Sequence, residues 1–234
     1  MTAQLTVPTA NDSQTAQKIA GPYQRAALSV ERALSMDDNA LARIRPSVTE
    51  GAVDIFVTTP LHSVLVQRVP GIVSSETVVA ARDLPAKLRE IAGEAAAEES
   101  IQLTGGMDFM WTGSLPPHEG FTVVDFVPAG DIRSAHAAMG KENADAAAPG
   151  GVARSLLEQD VVTLASDKEQ VALTGRHIAA LGGLGIAAKP GDPRMEEYDL
   201  VRVSVTGSWI RIDALFGTIY SPRPGGLARV PQPS

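Results

Sequence analysis

Two stretches of this chain, ETVVAARDLPAKLREIAGE (76–94) and EQVALTGRHIAALGGL (169–184), change hydrophobic period in the same way, and that recurrence limits the available folds more than any other feature. In each, a short run of strand character passes through a polar break into residues spaced for one helical face. Arg176-His177-Ile178 falls on Arg82-Asp83-Leu84. In the first stretch, Asp83 is the expected N-cap, Pro85 fits only within the first helical turn, and Leu84, Leu88 and Ile91 face inward.

Similar patterns follow each copy. SIQLTGGMDFMWTG (100–113) reads as strand, turn at Gly105-Gly106, strand, with Trp111 in the returning strand. DLVRVSVTGSWIRIDALFGTIYS (199–221) reads as a hairpin turning at Thr206-Gly207-Ser208, with Trp209 in the matching place and FGTIY corresponding to FTVVD (121–125). Upstream, Ala26, Val30, Ala33 and Leu34 share one face of a helix that opens near Pro22 and ends near Asp37. Alternating apolar residues between Leu41 and Val69 then describe a meander of three antiparallel strands, without a clear counterpart in the second copy. Between the copies, a helix capped by Asp131, a Gly/Ala-rich loop (140–151), a short helix and a strand are expected. The chain therefore reads as an α+β protein of two related units, 22–126 and 127–221, built from antiparallel sheet with short helices. Residues 1–21 and 222–234 read as flexible tails, and the runs Ala92–Ala97 and Ala144–Ala148 suggest no function.

Composition narrows the function classes. A 44% hydrophobic, 20% charged chain buries a full core, which with only 4% aromatic residues must be aliphatic, leaving Trp111 and Trp209 as isolated anchors. A net charge of −7 disfavours indiscriminate nucleic-acid binding, since that affinity comes from clustered Lys and Arg. The absence of cysteine excludes disulfides, thiolate zinc sites and thiol nucleophiles. The N-terminus has neither the basic nor the apolar region of a signal peptide, and no window is long and apolar enough to span a bilayer. A cytoplasmic protein without membrane attachment is the expectation.

The chemical motifs are sparse. Gly183-Leu-Gly185-Ile-Ala-Ala188 loosely matches a dinucleotide-binding string, but it follows an expected helix, so glycines ending that helix are the simpler account. No phosphate-binding G-x-x-x-x-G-K-[ST] and no G-x-S-x-G occurs. His62, His118, His136 and His177 lie far apart in the chain without metal-ligand spacing. Asp54, Asp108, Asp125 and Asp213 fall on expected strands as outward-facing positions. No catalytic residue, cofactor or metal site is assigned.

The segments GAVDIFVTTPLHSVLVQRVPG (51–71), TVVAARDLPAKLREI (77–91) and SIQLTGGMDFMWTG (100–113) resemble, in order, the hairpin after the first helix, the strand-to-helix step and the following hairpin of DNA sliding clamps. That resemblance covers most of the first unit and about half the second. The part from Ser155 to Tyr220 is also similar to uncharacterised proteins of actinobacteria, which carry no activity to transfer. The clamp resemblance implies a ring of six modules, hence three two-unit chains, lined by helices with basic outer faces. Lys87, Arg89, Arg133, His136, Arg176 and His177 are the candidate interaction residues, joined on the helices by Arg25, Arg32 and Lys141. Glu31, Asp83, Glu90 and Asp131 dilute them, so ordinary solvated helix faces are the simpler account.

The sequence thus points to a non-enzymatic binding or assembly protein, clamp-like in pattern and homo-oligomeric, with a protein partner before nucleic acid. The alternative is a small-molecule-binding protein or enzyme with a site between the two units.

Overall fold

The computed structural model describes residues 2–94, 100–145 and 154–224. The acidic Ala/Glu linker, the alanine run before Gly150 and the C-terminal tail from 225 lie outside these residues. The chain divides into two compact units: Met1–Pro60 with Val64–Leu115, and Leu61–Ser63 with Pro116–Ser234. The division falls at Leu115/Pro116, where sequence reading places it after 126.

Unit one begins with strand β1 (Thr2–Thr6) and helix α1 (Ser13–Met36), so most of residues 1–21 is regular structure and not a flexible tail. Asp12 caps α1, its carboxylate accepting the Thr15 amide at 2.7 Å. Pro22 lies inside the helix, where it removes one backbone hydrogen bond at a cost of ~3 kcal/mol. Burial of Ile19, Tyr23, Ala26, Val30 and Ala33 offsets this, at ~1.5–3 kcal/mol for each large apolar side chain. The Tyr23 hydroxyl donates to the Pro70 carbonyl at 2.5 Å, and burial pushes its pKa up.

The expected meander is present as β2 (Leu41–Pro46), β3 (Ala52–Thr58) and β4 (Val64–Pro70). A short β5 (Ile72–Val73) and β6 (Thr77–Ala80) follow, then a 3-10 turn (Ala81–Asp83) and helix α2 (Leu84–Glu94). Asp83 therefore closes a 3-10 turn and is not the N-cap, while Leu84, Leu88 and Ile91 are buried as expected. Strand β7 (Ser100–Thr104) does not turn back on itself. It pairs with β1, from Thr2↔Thr104 to Thr6↔Ser100, and the chain continues into a 3-10 turn, Asp108–Met110. Trp111 and Asp108 consequently lie outside any strand, and the match between Trp111 and Trp209 does not hold. Asp54 is on β3 but buried, paired with Arg68 at 2.7 Å.

Unit two runs β8 (Thr122–Pro128), α3 (Ala129–Asp145), α4 (Arg154–Glu158), β9 (Asp160–Ala165), β10 (Gln170–Thr174) and α5 (Gly175–Gly183). A 3-10 segment (Pro193–Tyr198) leads to β11 (Leu200–Val205), β12 (Trp209–Ala214) and β13 (Gly217–Pro222). Asp131 lies in the first turn of α3 rather than at its cap. The final three strands are the hairpin and following strand expected from 199–221, and they form a three-strand antiparallel meander at the end of the unit.

The units share one pairing rule. The strand entering the first helix pairs with the strand that follows the second helix, β1 with β7 and β8 with β11. The strand entering the second helix pairs with the strand that follows the first, β6 with β2 and β10 with β9. They differ in where the three-strand meander falls, after α1 in unit one and after α5 in unit two. In both, helices cover one face of antiparallel sheet, the layering expected when each element must bury one apolar face. Among the described residues, no helix is long and apolar enough to cross a membrane.

Candidate functional site

Four stretches of unit two converge on an open cleft of about 250 Å³. Leu61 and His62 come from the group Leu61–Ser63, Leu157 and Glu158 end α4, Ala172 and Thr174 lie on β10, and Arg176 and His177 begin α5. Ser221, Pro222 and Pro224 close it from the end of β13.

Local rules place these groups. Period two along β10 sends Val171 and Leu173 into the core and leaves Ala172 and Thr174 on the cleft side. Thr174 is the N-cap of α5, and the Nδ1 atom of His177, three residues on, accepts its backbone N–H at 2.9 Å. Nδ1 is thereby an acceptor, so the ring proton sits on Nε2. Burial lowers the His177 pKa to about 4, so the ring is neutral at pH 7. Gly175 follows because nothing larger fits: a Cβ there would stand 1.9 Å from the Leu156 carbonyl oxygen.

The charges at the rim are unequal. Glu158 accepts from Arg154 Nε at 2.7 Å and faces Arg176 Nη2 at 3.6 Å. Hydrogen bonding from Arg154 holds its carboxyl below the ordinary range, with a smaller contribution from Arg176. Two guanidinium groups thus share one carboxylate. His62 holds a left-handed backbone at φ 55°, uncommon for a non-glycine residue. Ser221 is 5% exposed, and its hydroxyl oxygen has no hydrogen-bond partner among the described residues. A buried polar atom without a partner is rare enough to require an explanation, and in a cleft wall a visiting donor or acceptor supplies one.

Of the six candidate interaction residues, only Arg176 and His177 come together here. Lys87 donates to the Gln102 carbonyl at 2.6 Å and Arg89 pairs with Glu31. Arg133 makes a two-pronged contact with Asp199 at 2.7 and 3.1 Å and reaches the Ala187 carbonyl at 3.1 Å. The His136 ring packs on α5, where a Cβ at Gly182 would come within 2.3 Å of it. Sequence reasoning missed Ser221, whose orphaned state depends on its surroundings, and Lys18, which lies in the segment read as a tail. Lys18, Arg25 and Arg32 recur every seven residues along α1, all exposed. Neither Lys18 nor Arg25 has a carboxylate partner among the described residues, and the nearby Glu31 is taken by Arg89.

Residues 116–226 match the model of a family described as a domain of unknown function (DUF8185), a span that includes most of the cleft. No curated protein matches the chain in sequence. In structure, it is similar to a beta sliding clamp of C. crescentus, at 13% identity and a TM-score of 0.53, covering 96% of this chain and 65% of that one. It is also similar to a protein assigned as a DNA polymerase III beta subunit from Eubacterium rectale, at 9% identity and a TM-score of 0.52, covering 97% of this chain and 66% of that one. The chain therefore spans just under two thirds of the length of these relatives, and the likeness is one of fold: an α+β, clamp-like architecture.

Proposed function

We propose that this chain is a non-enzymatic, clamp-like binding protein whose unit-two cleft takes apolar side chains of an extended segment of a protein partner. The observation that carries the reading is the Ser221 hydroxyl, without a partner among the described residues, in the wall of a cleft where Leu61, Leu157, Ala172, Pro222 and Pro224 stand beside the polar His62, Glu158, Thr174, Arg176 and His177. A peptide backbone brings what that site lacks, an N–H or C=O beside an apolar side chain. The volume of about 250 Å³ is below the ~300–1,000 Å³ usual for small-molecule pockets and suits one or two side chains. Proton chemistry is poorly served, because His177 Nδ1 is committed to the Thr174 amide and Glu158 to two arginines.

The test is selection of binders to the full chain from a displayed library of random peptides, followed by methyl NMR of the chain with a selected peptide. Shifts concentrated on Leu61, Leu157 and Ala172 are expected. Shifts confined to other surfaces would sink the reading.

A second reading rests on α1. The row Lys18, Arg25 and Arg32 supplies a cationic stripe suited to the phosphates of a nucleic-acid backbone, recognised without regard to base sequence. The clamp-like fold is consistent with it, although fold alone does not assign function.

A further inference from the structure

We infer that a second copy of this chain can occupy the unit-two cleft, inserting the exposed turn at Phe109. This rests on the cleft being a peptide-binding site. Phe109 is 83% exposed and its neighbour Met110 44%, so two large apolar side chains stand together in water on one turn.

The turn that carries them is held in shape. Met110 N–H donates to the Met107 carbonyl at 2.9 Å, and Trp111 N–H to that of Asp108 at 3.2 Å, closing the 3-10 turn. Met107 N–H reaches the Val78 carbonyl on β6 at 3.4 Å. On the other side, the Arg43 guanidinium lies 5.9 Å from the centre of the Trp111 ring and pairs with Glu76. Anchored at both ends, the turn presents Phe109 outward with its backbone already ordered, which lowers the entropy cost of docking.

Charge selects the orientation. The Asp108 carboxylate, beside Phe109, has no partner among the described residues. Beside the cleft, Arg154 and the lining residue Arg176 have Glu158 as their one carboxylate partner among the described residues, leaving one positive charge in excess. Phe109 entering between Leu61, Leu157 and Ala172 brings Asp108 toward Arg176, so the apolar and the ionic contacts are made together. Because the turn and the cleft are different surfaces, each copy keeps one of each to offer to another copy.

The experiment is light scattering across a concentration series on the full chain, with F109S and A172W, the latter filling the cleft. The wild type is expected to exceed the 24.5 kDa of one chain as concentration rises. F109S, which removes an exposed side chain, is expected to weaken association at least ~30-fold, the loss of an interface hot spot. F109S and A172W are each expected to remain single chains alone and to form a two-chain species when mixed, since one retains the cleft and the other the turn. Exchange of charges, D108K against R176E, repeats that test without altering the apolar contact. A wild type that stays a single chain throughout, or mixed variants that do not associate, would overturn the inference. If selected peptides still bind the cleft in that case, the proposed function stands and only the identity of its occupant fails.

Discussion

The backbone N–H of Thr174 is bonded to the Nδ1 atom of His177 at 2.9 Å, so the first turn of α5 and the wall of the cleft are fixed by one neutral imidazole. Burial puts the folded-state pKa at about 4, below the ordinary 6.5. Between those values the unfolded chain binds the extra proton, so this contribution to stability is complete above 6.5 and is lost as pH falls through about 4. Denaturant unfolding is expected to show a loss of roughly 3 kcal/mol across that range. H177Q should be less stable at pH 7 and should show a smaller loss, so the two curves converge on acidification. Parallel curves would contradict a neutral, buried His177.

Gly175 is required by packing. Its hydrogen faces the backbone of Leu156 and Leu157, where a methyl group would come within 1.9 Å of a carbonyl oxygen that cannot rotate away. G175A is expected to cost ~1–3 kcal/mol by thermal or denaturant unfolding, as overpacking does elsewhere. Because α4 must shift to admit the methyl group, peptide binding at the cleft should weaken as well.

Ser221 should behave in the opposite way. Its hydroxyl has no partner to lose among the described residues, so S221A is expected to leave stability unchanged or slightly raised. A clear drop in the melting temperature would mean that the hydroxyl is satisfied within the fold.

Arg133 is a structural group in this account. It ties α3 to Asp199 and to the Ala187 carbonyl, so R133A is expected to cost ~1.5–3 kcal/mol, the range for hydrogen bonds to charged groups. Retention of the chain on DNA at low salt should be unaffected by R133A if the protein remains folded, and reduced by K18E/R25E. The reverse pattern would locate the cationic surface elsewhere.

Local period carried much of the fold. Val53, Ile55 and Val57 mark β3, and Leu84, Leu88 and Ile91 mark the buried face of α2, because each pattern is complete within a few residues. The failures share a physical cause. Gly105-Gly106 looks like a hairpin turn locally, yet β7 is claimed by β1, whose first residue pairs with Thr104 across most of the unit. The start of α1 is hidden because SQTAQKIAGP is polar and holds a proline, and its stability comes from packing on other elements. The two units also place their meanders after different helices, which blurred the repeat. Arg176 and His177 were legible as charged groups on a helix, but the cleft they border is assembled from four separated segments. Nothing within any one of those segments marks Ser221 as a buried atom without a partner.

Calorimetric titration of a selected peptide into the wild-type chain, S221A and A172W tests the central claim most directly. The account predicts a measurable Kd for the wild type, a ~2- to 13-fold loss for S221A, the net worth of one neutral hydrogen bond, and no detectable binding for A172W. Equal affinity for all three would contradict it and remove the unit-two cleft as the binding site.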